Sequence, residues 1–399
     1  MKYSPEGKVL LGKIFRLYCV FFHRSVKEFS NKVSQATYFR LEKGQAGDQF
    51  FYRLAEYYGI KLAKPGFLSR SLEIASSLQR LCKDIIAYDT EMIASDIKEI
   101  ETEYIELHEY TPFLELIDTL HVLLKYYVED APVTSETIQK IMKCISLGPE
   151  CALYYPLIEI AGMSAWSNAE MDDVEMCKPF MNDLPYWLKD LESFYARLYR
   201  SQWSAIEMLE NNIDQVSDNK VRYFLYVKRL YTIFSSIDNR KAKTYRDQLL
   251  ELLDDNTIPE ARRRGAEYSV LVRCLLEKDY DFALQFGRNR LEIFNPKCLL
   301  VYTMIQSLSH HELNDRILKI EQTEGYYSKM LHFYVMKKRG EQALKLEKYL
   351  LGEIEPLLKR DNYHPPFTGV MLEELSQLVL QTKHYRGYYE LSQNMIQNN

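Results

Sequence analysis

The chain has 399 residues, 47% hydrophobic and 27% charged, which excludes a wholly disordered chain and predicts two or three domains or a repeat array rather than one core. No window approaches about 18 uncharged apolar residues and the N-terminus carries no apolar signal region, so the sequence predicts a cytoplasmic chain with no membrane partner. The net charge of -5 conceals a split, because residues 1–64 hold 12 Lys and Arg against 5 Asp and Glu while the remainder is acidic.

That basic head is the place to look for a polyanionic partner. The seven cysteines, Cys19, Cys82, Cys144, Cys151, Cys177, Cys274 and Cys298, are scattered and form no Cys-x-x-Cys pair. They predict reduced thiols rather than a disulfide frame or a zinc site, and neither metal nor cofactor is expected.

In chain order, Gly7 to Phe22 places Leu11, Phe15, Tyr18 and Phe22 on one helical stripe. Within it, Gly7 to Lys13 has the spacing of a phosphate loop. The next residue is Ile14 instead of Ser or Thr, and no buried strand precedes Gly7, so the loop's chemistry has no scaffold. A second helix follows from Ser25, with Val26, Phe29 and Val33 inward. Ser34 caps a third, with Tyr38 and Leu41 inward and Gly44 as its terminator. Asp48 caps a fourth, with Phe51, Leu54, Ala55 and Tyr58 on one face, ending at Gly59. Two short helices joined by almost no loop cannot bury their apolar faces alone, so the flanking helices complete a compact unit.

Gly12, Phe15, Ser25, Phe29, Ser30, Val33, Thr37, Tyr38, Arg40, Leu41, Glu42, Gly44, Leu54, Ala55 and Gly59 fall in the register of the XRE DNA-binding domain, which residues 1–64 resemble. The turn between helices two and three is about two residues shorter than is usual in that family, and Cys19 stands where an Arg commonly pairs with the Glu42 position, leaving Arg16 or water as the partner of Glu42. The resemblance implies that helix three enters the major groove of double-stranded DNA with Gln35, Ala36, Thr37 and Arg40, while Lys32 and Lys43 reach phosphates. Gln35 has the chemistry to bond both the donor and the acceptor that adenine presents in the major groove. Phe39 either touches a thymine methyl or packs on a partner.

Lys64-Pro65-Gly66 marks a boundary, giving a head at 1–64, a linker at 65–70 and a helical body at 71–399. Helical spacing recurs over Ser69 to Leu81, Ile85 to Tyr104 and Pro112 to Val128. From about residue 190 a weak repeat appears. Its clearest unit is Leu275 to Phe286, in which one helix ends at Lys278-Asp279-Tyr280 and the next presents Ala283. Related turns lie at Ser201 to Ile206, Asn239 to Ala242, Lys338 to Ala343 and Lys383 to Tyr388, and His310 to Glu321 holds a degenerate unit. These resemble tetratricopeptide repeats. The expected fold is therefore all-α, a helix-turn-helix domain followed by a tetratricopeptide-like superhelix whose first helices line a concave groove. First-helix residues assigned to that groove are Arg222, Tyr223, Tyr226, Arg229, Tyr268, Arg273, Tyr302 and Gln306.

A basic XRE-like head on such a body resembles the RRNPP family of bacterial peptide-pheromone receptors. The resemblance implies a homodimeric transcriptional regulator that binds a short signalling peptide in the body and shifts the spacing of its two heads. The competing expectation is a protein-interaction scaffold with a vestigial head. An enzyme is not expected. His310-His311-Glu312 lacks the second His of a zinc-protease helix, and Asp172-Asp173 and Asp254-Asp255 have no nearby His or Gly-rich loop.

Overall fold

The computed structural model describes residues 34–58, 67–103, 118–131, 133–145, 152–168, 171–319, 326–360 and 367–398, with positions 5, 8, 9, 12 and 15. The chain is all-α, and among the described residues there is no strand. No helix among them is long and apolar enough to cross a membrane. The chain divides into two compact units, Met1–Ile233 and Phe234–Asn399.

In the first unit, positions 5, 8, 9, 12 and 15 are helical; position 5 precedes the expected start at Gly7, and Leu11, Tyr18 and Phe22 of the expected stripe lie outside the described residues. Phe15 is fully buried and its ring lies 6.1 Å from that of Phe51. Helix α1 (Gln35–Glu42) starts because Ser34 is extended and its Oγ accepts the Thr37 N–H at 3.2 Å, satisfying one of the first-turn donors. It stops at Gly44, whose φ of +69° few other residues tolerate and whose N–H donates to the Leu41 carbonyl at 2.9 Å. Helix α2 (Asp48–Tyr58) buries Phe51 and Leu54, and Asp48 in its first turn pairs with Lys8 at 2.6 Å. The first helix lies directly on α1 and its terminator. A Cβ at Gly12 would fall 2.3 Å from the Leu41 carbonyl oxygen, and one at Gly44 would fall 2.6 Å from the Val9 nitrogen. The expected second helix, with Val26, Phe29 and Val33, lies outside the described residues, as do Arg16, Cys19 and Gly59.

Lys64, Pro65 and Gly66 also lie outside them, and the helix Phe67–Ala87 takes in 67–70, which the sequence reading gave to the linker. The compact division falls at Ile233. The buried cluster holding Phe15, Tyr38, Leu41 and Phe51 runs on into Leu81, Ile85 and Tyr127. The helix expected from Ile85 to Tyr104 is broken. Tyr88 turns left-handed at φ 58°, and Asp89 Oδ1 accepts the Met92 N–H at 3.0 Å to start Thr90–Glu103. Further on, Lys189–Tyr199 and Gln202–Glu210 pair across a turn where Ser201 Oγ accepts the Ser204 N–H at 3.0 Å. Ala205, adjacent to the anticipated Ile206, is the small residue at that crossing, and both are buried.

The second unit consists of helix hairpins. Glu260–Glu277 ends at Lys278, left-handed at φ 59°, and Tyr280–Arg288 follows with Ala283 fully buried. Pro296–Leu308 packs on both, its Tyr302 ring filling the space over Gly287. Asp238 caps Asn239–Leu253, Gly340 at φ 72° precedes Ala343–Tyr349, and Lys383 at φ 65° separates Phe367–Thr382 from Tyr385–Asn398. The degenerate unit at 310–321 is not a helix pair in its described part, which holds a turn and the 3₁₀ helix Asp315–Lys319.

Burial also fixes the thiol chemistry. It pushes Cys177, Cys274 and Cys298 up to about 12, so almost no thiolate exists near neutrality. Alkylation of the native protein at pH 8, read by peptide mass spectrometry, is expected to modify these three roughly a thousandfold more slowly than an ordinary cysteine of pKa about 8.5. Equal rates in native and urea-unfolded protein would contradict their burial.

Candidate functional site

Helix α1 has two faces. Tyr38 and Leu41 are fully buried, while Gln35, Ala36, Phe39, Arg40 and Lys43 are exposed and Thr37 is half-buried. The split follows from helical geometry, since positions 35, 36, 39, 40 and 43 fall within one arc of about 140° at 100° per residue. The Thr37 hydroxyl lies 2.9 Å from Ser34 Oγ and so helps fix the cap. Neither Arg40 nor Lys43 forms an ion pair among the described residues, so both charges are available to an external anion. Lys32 lies outside the described residues. Glu42 is half-buried, and its suggested partner Arg16 is likewise outside them.

The groove residues divide differently. Arg222 is 1% exposed. Its Nη1 donates to Glu159 Oε1 at 2.7 Å and its Nη2 to the Ile85 carbonyl at 3.1 Å, with the Tyr88 and Trp187 rings 4.9 and 4.7 Å from the guanidinium carbon. Tyr127 donates to the other oxygen of Glu159 at 2.8 Å. Burial is the largest influence on Arg222 and works to lower its pKa, but Glu159, Tyr127 and Tyr88 together outweigh it and the guanidinium stays charged. Burial, reinforced by that carboxylate, pushes the Tyr127 phenol well up, so it remains a donor. This is a closed structural network with no room for a peptide.

Tyr226 is buried and its hydroxyl donates to the Tyr186 carbonyl. Tyr302 is buried, with its hydroxyl 3.4 Å from the Leu284 carbonyl, and the buried Gln306 accepts from Asn314 Nδ2 at 2.8 Å. These four are corrected from groove to core. Their side chains are enclosed, and the polar tips are taken up by intramolecular partners. Tyr223, Arg229, Tyr268 and Arg273 are half-buried. Arg229 lies over the Phe194 ring at 4.8 Å, and Arg273 Nη1 donates to Ser236 Oγ at 3.1 Å.

Sequence reasoning missed Glu159, Tyr127 and the Ile85 carbonyl as the partners of Arg222. A Glu in the otherwise apolar run Tyr154–Asn168 was the signal, since a carboxylate amid Leu157, Ile158 and Ile160 needs a buried cation. No protein-family model, no curated protein and no solved structure matches this chain.

Proposed function

We propose that the chain is a transcriptional regulator whose head reads duplex DNA and whose helical body takes a short signalling peptide. The observation carrying this reading is the outward face of α1, where Gln35, Ala36, Arg40 and Lys43 stand exposed over a Tyr38 and Leu41 core in a segment with 12 basic and 5 acidic residues. Gln35 supplies paired donor and acceptor chemistry for adenine, Arg40 enters the groove beside it, and Lys43 supplies charge for a phosphate. The helix-turn-helix and tetratricopeptide-like architectures belong to this proposal, as does the homodimer implied by the RRNPP resemblance. Peptide binding would shift the population between arrangements of the two heads, matching or mismatching paired half-sites.

Fluorescence anisotropy with a mixed pool of labelled genomic duplexes tests the head. Affinity is expected to fall steeply between about 50 and 200 mM salt, and Lys43→Ala is expected to reduce the log–log salt slope by about 1. Negligible, salt-independent binding would remove the head's role. For the body, the half-exposed Tyr223 and Arg229 on Lys220–Phe234, and separately Tyr268 and Arg273 on Glu260–Glu277, remain as contacts to probe by calorimetric peptide titration. A second reading, a scaffold for a partner protein, draws support from Trp203, 69% exposed, with the exposed Leu198 on the preceding helix.

A further inference from the structure

The middle of the outward face of α1 is occupied by an aromatic ring. Phe39 is 49% exposed, and its ring contact is an edge approach to Tyr38 at 6.4 Å. At 100° per residue it lies about 40° from Gln35 and about 40° from Lys43, so it sits inside the arc those two define. A large apolar side chain held among Gln35, Arg40 and Lys43 costs hydration and contributes little to the core beneath. It is suited to a partner that combines negative charge with an isolated apolar group.

Duplex DNA presents that combination. Phosphates flank the major groove, and the one methyl group that base edges display there is the thymine 5-methyl of A·T pairs. A second copy of this face is disfavoured, because residues 1–64 carry 12 basic against 5 acidic residues and two such surfaces would repel. We infer that Phe39 is a specificity-determining residue of the head, packing against a thymine 5-methyl in the major groove. The inference rests on the reading of the head as a duplex reader and adds to it the base that the aromatic ring selects.

The test begins with duplexes selected from a random library by the full-length chain. Each thymine in the selected consensus is then replaced by deoxyuridine, which removes only the methyl group. The wild-type chain is expected to lose roughly fourfold in affinity at one or two positions, the value of one buried methyl-sized group. Phe39→Ala is expected to bind more weakly overall and to show no thymine–deoxyuridine difference there, with its melting temperature unchanged because the ring is half out of the fold. A consensus without thymine, a wild-type chain indifferent to the methyl, or a Phe39→Ala variant that keeps the difference would overturn the inference while leaving the DNA-binding head in place. A variant that changes only the oligomeric state would assign Phe39 to contact between copies, which also overturns it. Failure to retain any duplex would overturn this inference and the proposed function together.

Discussion

Replacement of Arg222 by Met is expected to destabilise the first unit by about 3–5 kcal/mol, the cost of leaving one member of a buried ion pair behind. Methionine fills most of the volume between Tyr88 and Trp187 but offers nothing to Glu159, which would keep only the Tyr127 hydroxyl at 2.8 Å, or to the Ile85 carbonyl. The remaining carboxylate would have to protonate or draw water into a site where Tyr127, Ile158 and Ile160 are almost wholly enclosed. Removing both charges, Arg222→Met with Glu159→Leu, is expected to recover much of the loss, since a well-packed apolar replacement of a buried pair is often close to neutral. Urea unfolding followed by tryptophan fluorescence reads this directly, because Trp187 lines the site. A single-variant loss below about 1 kcal/mol would put this pair among ordinary surface contacts and refute the closed network.

Gly12→Ala is expected to be the most damaging small change in the head, costing about 3 kcal/mol, the upper range for forcing atoms into a packed site. The new methyl would meet two carbonyl oxygens, Leu41 at 2.3 Å and Glu42 at 2.4 Å, and backbone cannot swing aside as a side chain can. The C-terminal turn of α1 would have to move. Gly44→Ala compounds a similar clash, 2.6 Å from the Val9 nitrogen, with a φ of +69°. Gly47→Ala is the internal control, because its nearest neighbour is a Phe50 ring carbon at 3.9 Å. Hydrogen exchange should show the amides of α1 losing protection in the first two variants and keeping it in the third. Unchanged protection in Gly12→Ala would mean the first helix does not bear on α1.

What the sequence made legible was local. Ser34 and Gly44 bracket α1 because capping and left-handed termination depend on neighbours within a few residues, and Tyr38 and Leu41 follow from a 3.6-residue period. The turn at Lys278 with Ala283 behind it was readable for the same reason. The break at Tyr88 was not, because a tyrosine in the left-handed region has no composition signal and is held there by a tertiary aromatic contact with Tyr127 at 5.5 Å. Arg222, Tyr226, Tyr302 and Gln306 were assigned to a groove because polar and aromatic residues usually mark a surface. Their burial depends on partners elsewhere in the fold, and for Arg222 these lie 63 and 137 positions away, beyond the reach of any periodicity.

That separation bears on how the protein is made. At a ribosomal pace of about 5–20 residues per second, the 63 positions between Glu159 and Arg222 take roughly 3–13 s to emerge. Throughout that interval the nascent chain carries a carboxylate whose cation has not yet emerged. The helices contributing Ile85 and Glu159 can form early, but the clasp joining them closes only when residue 222 clears the exit tunnel.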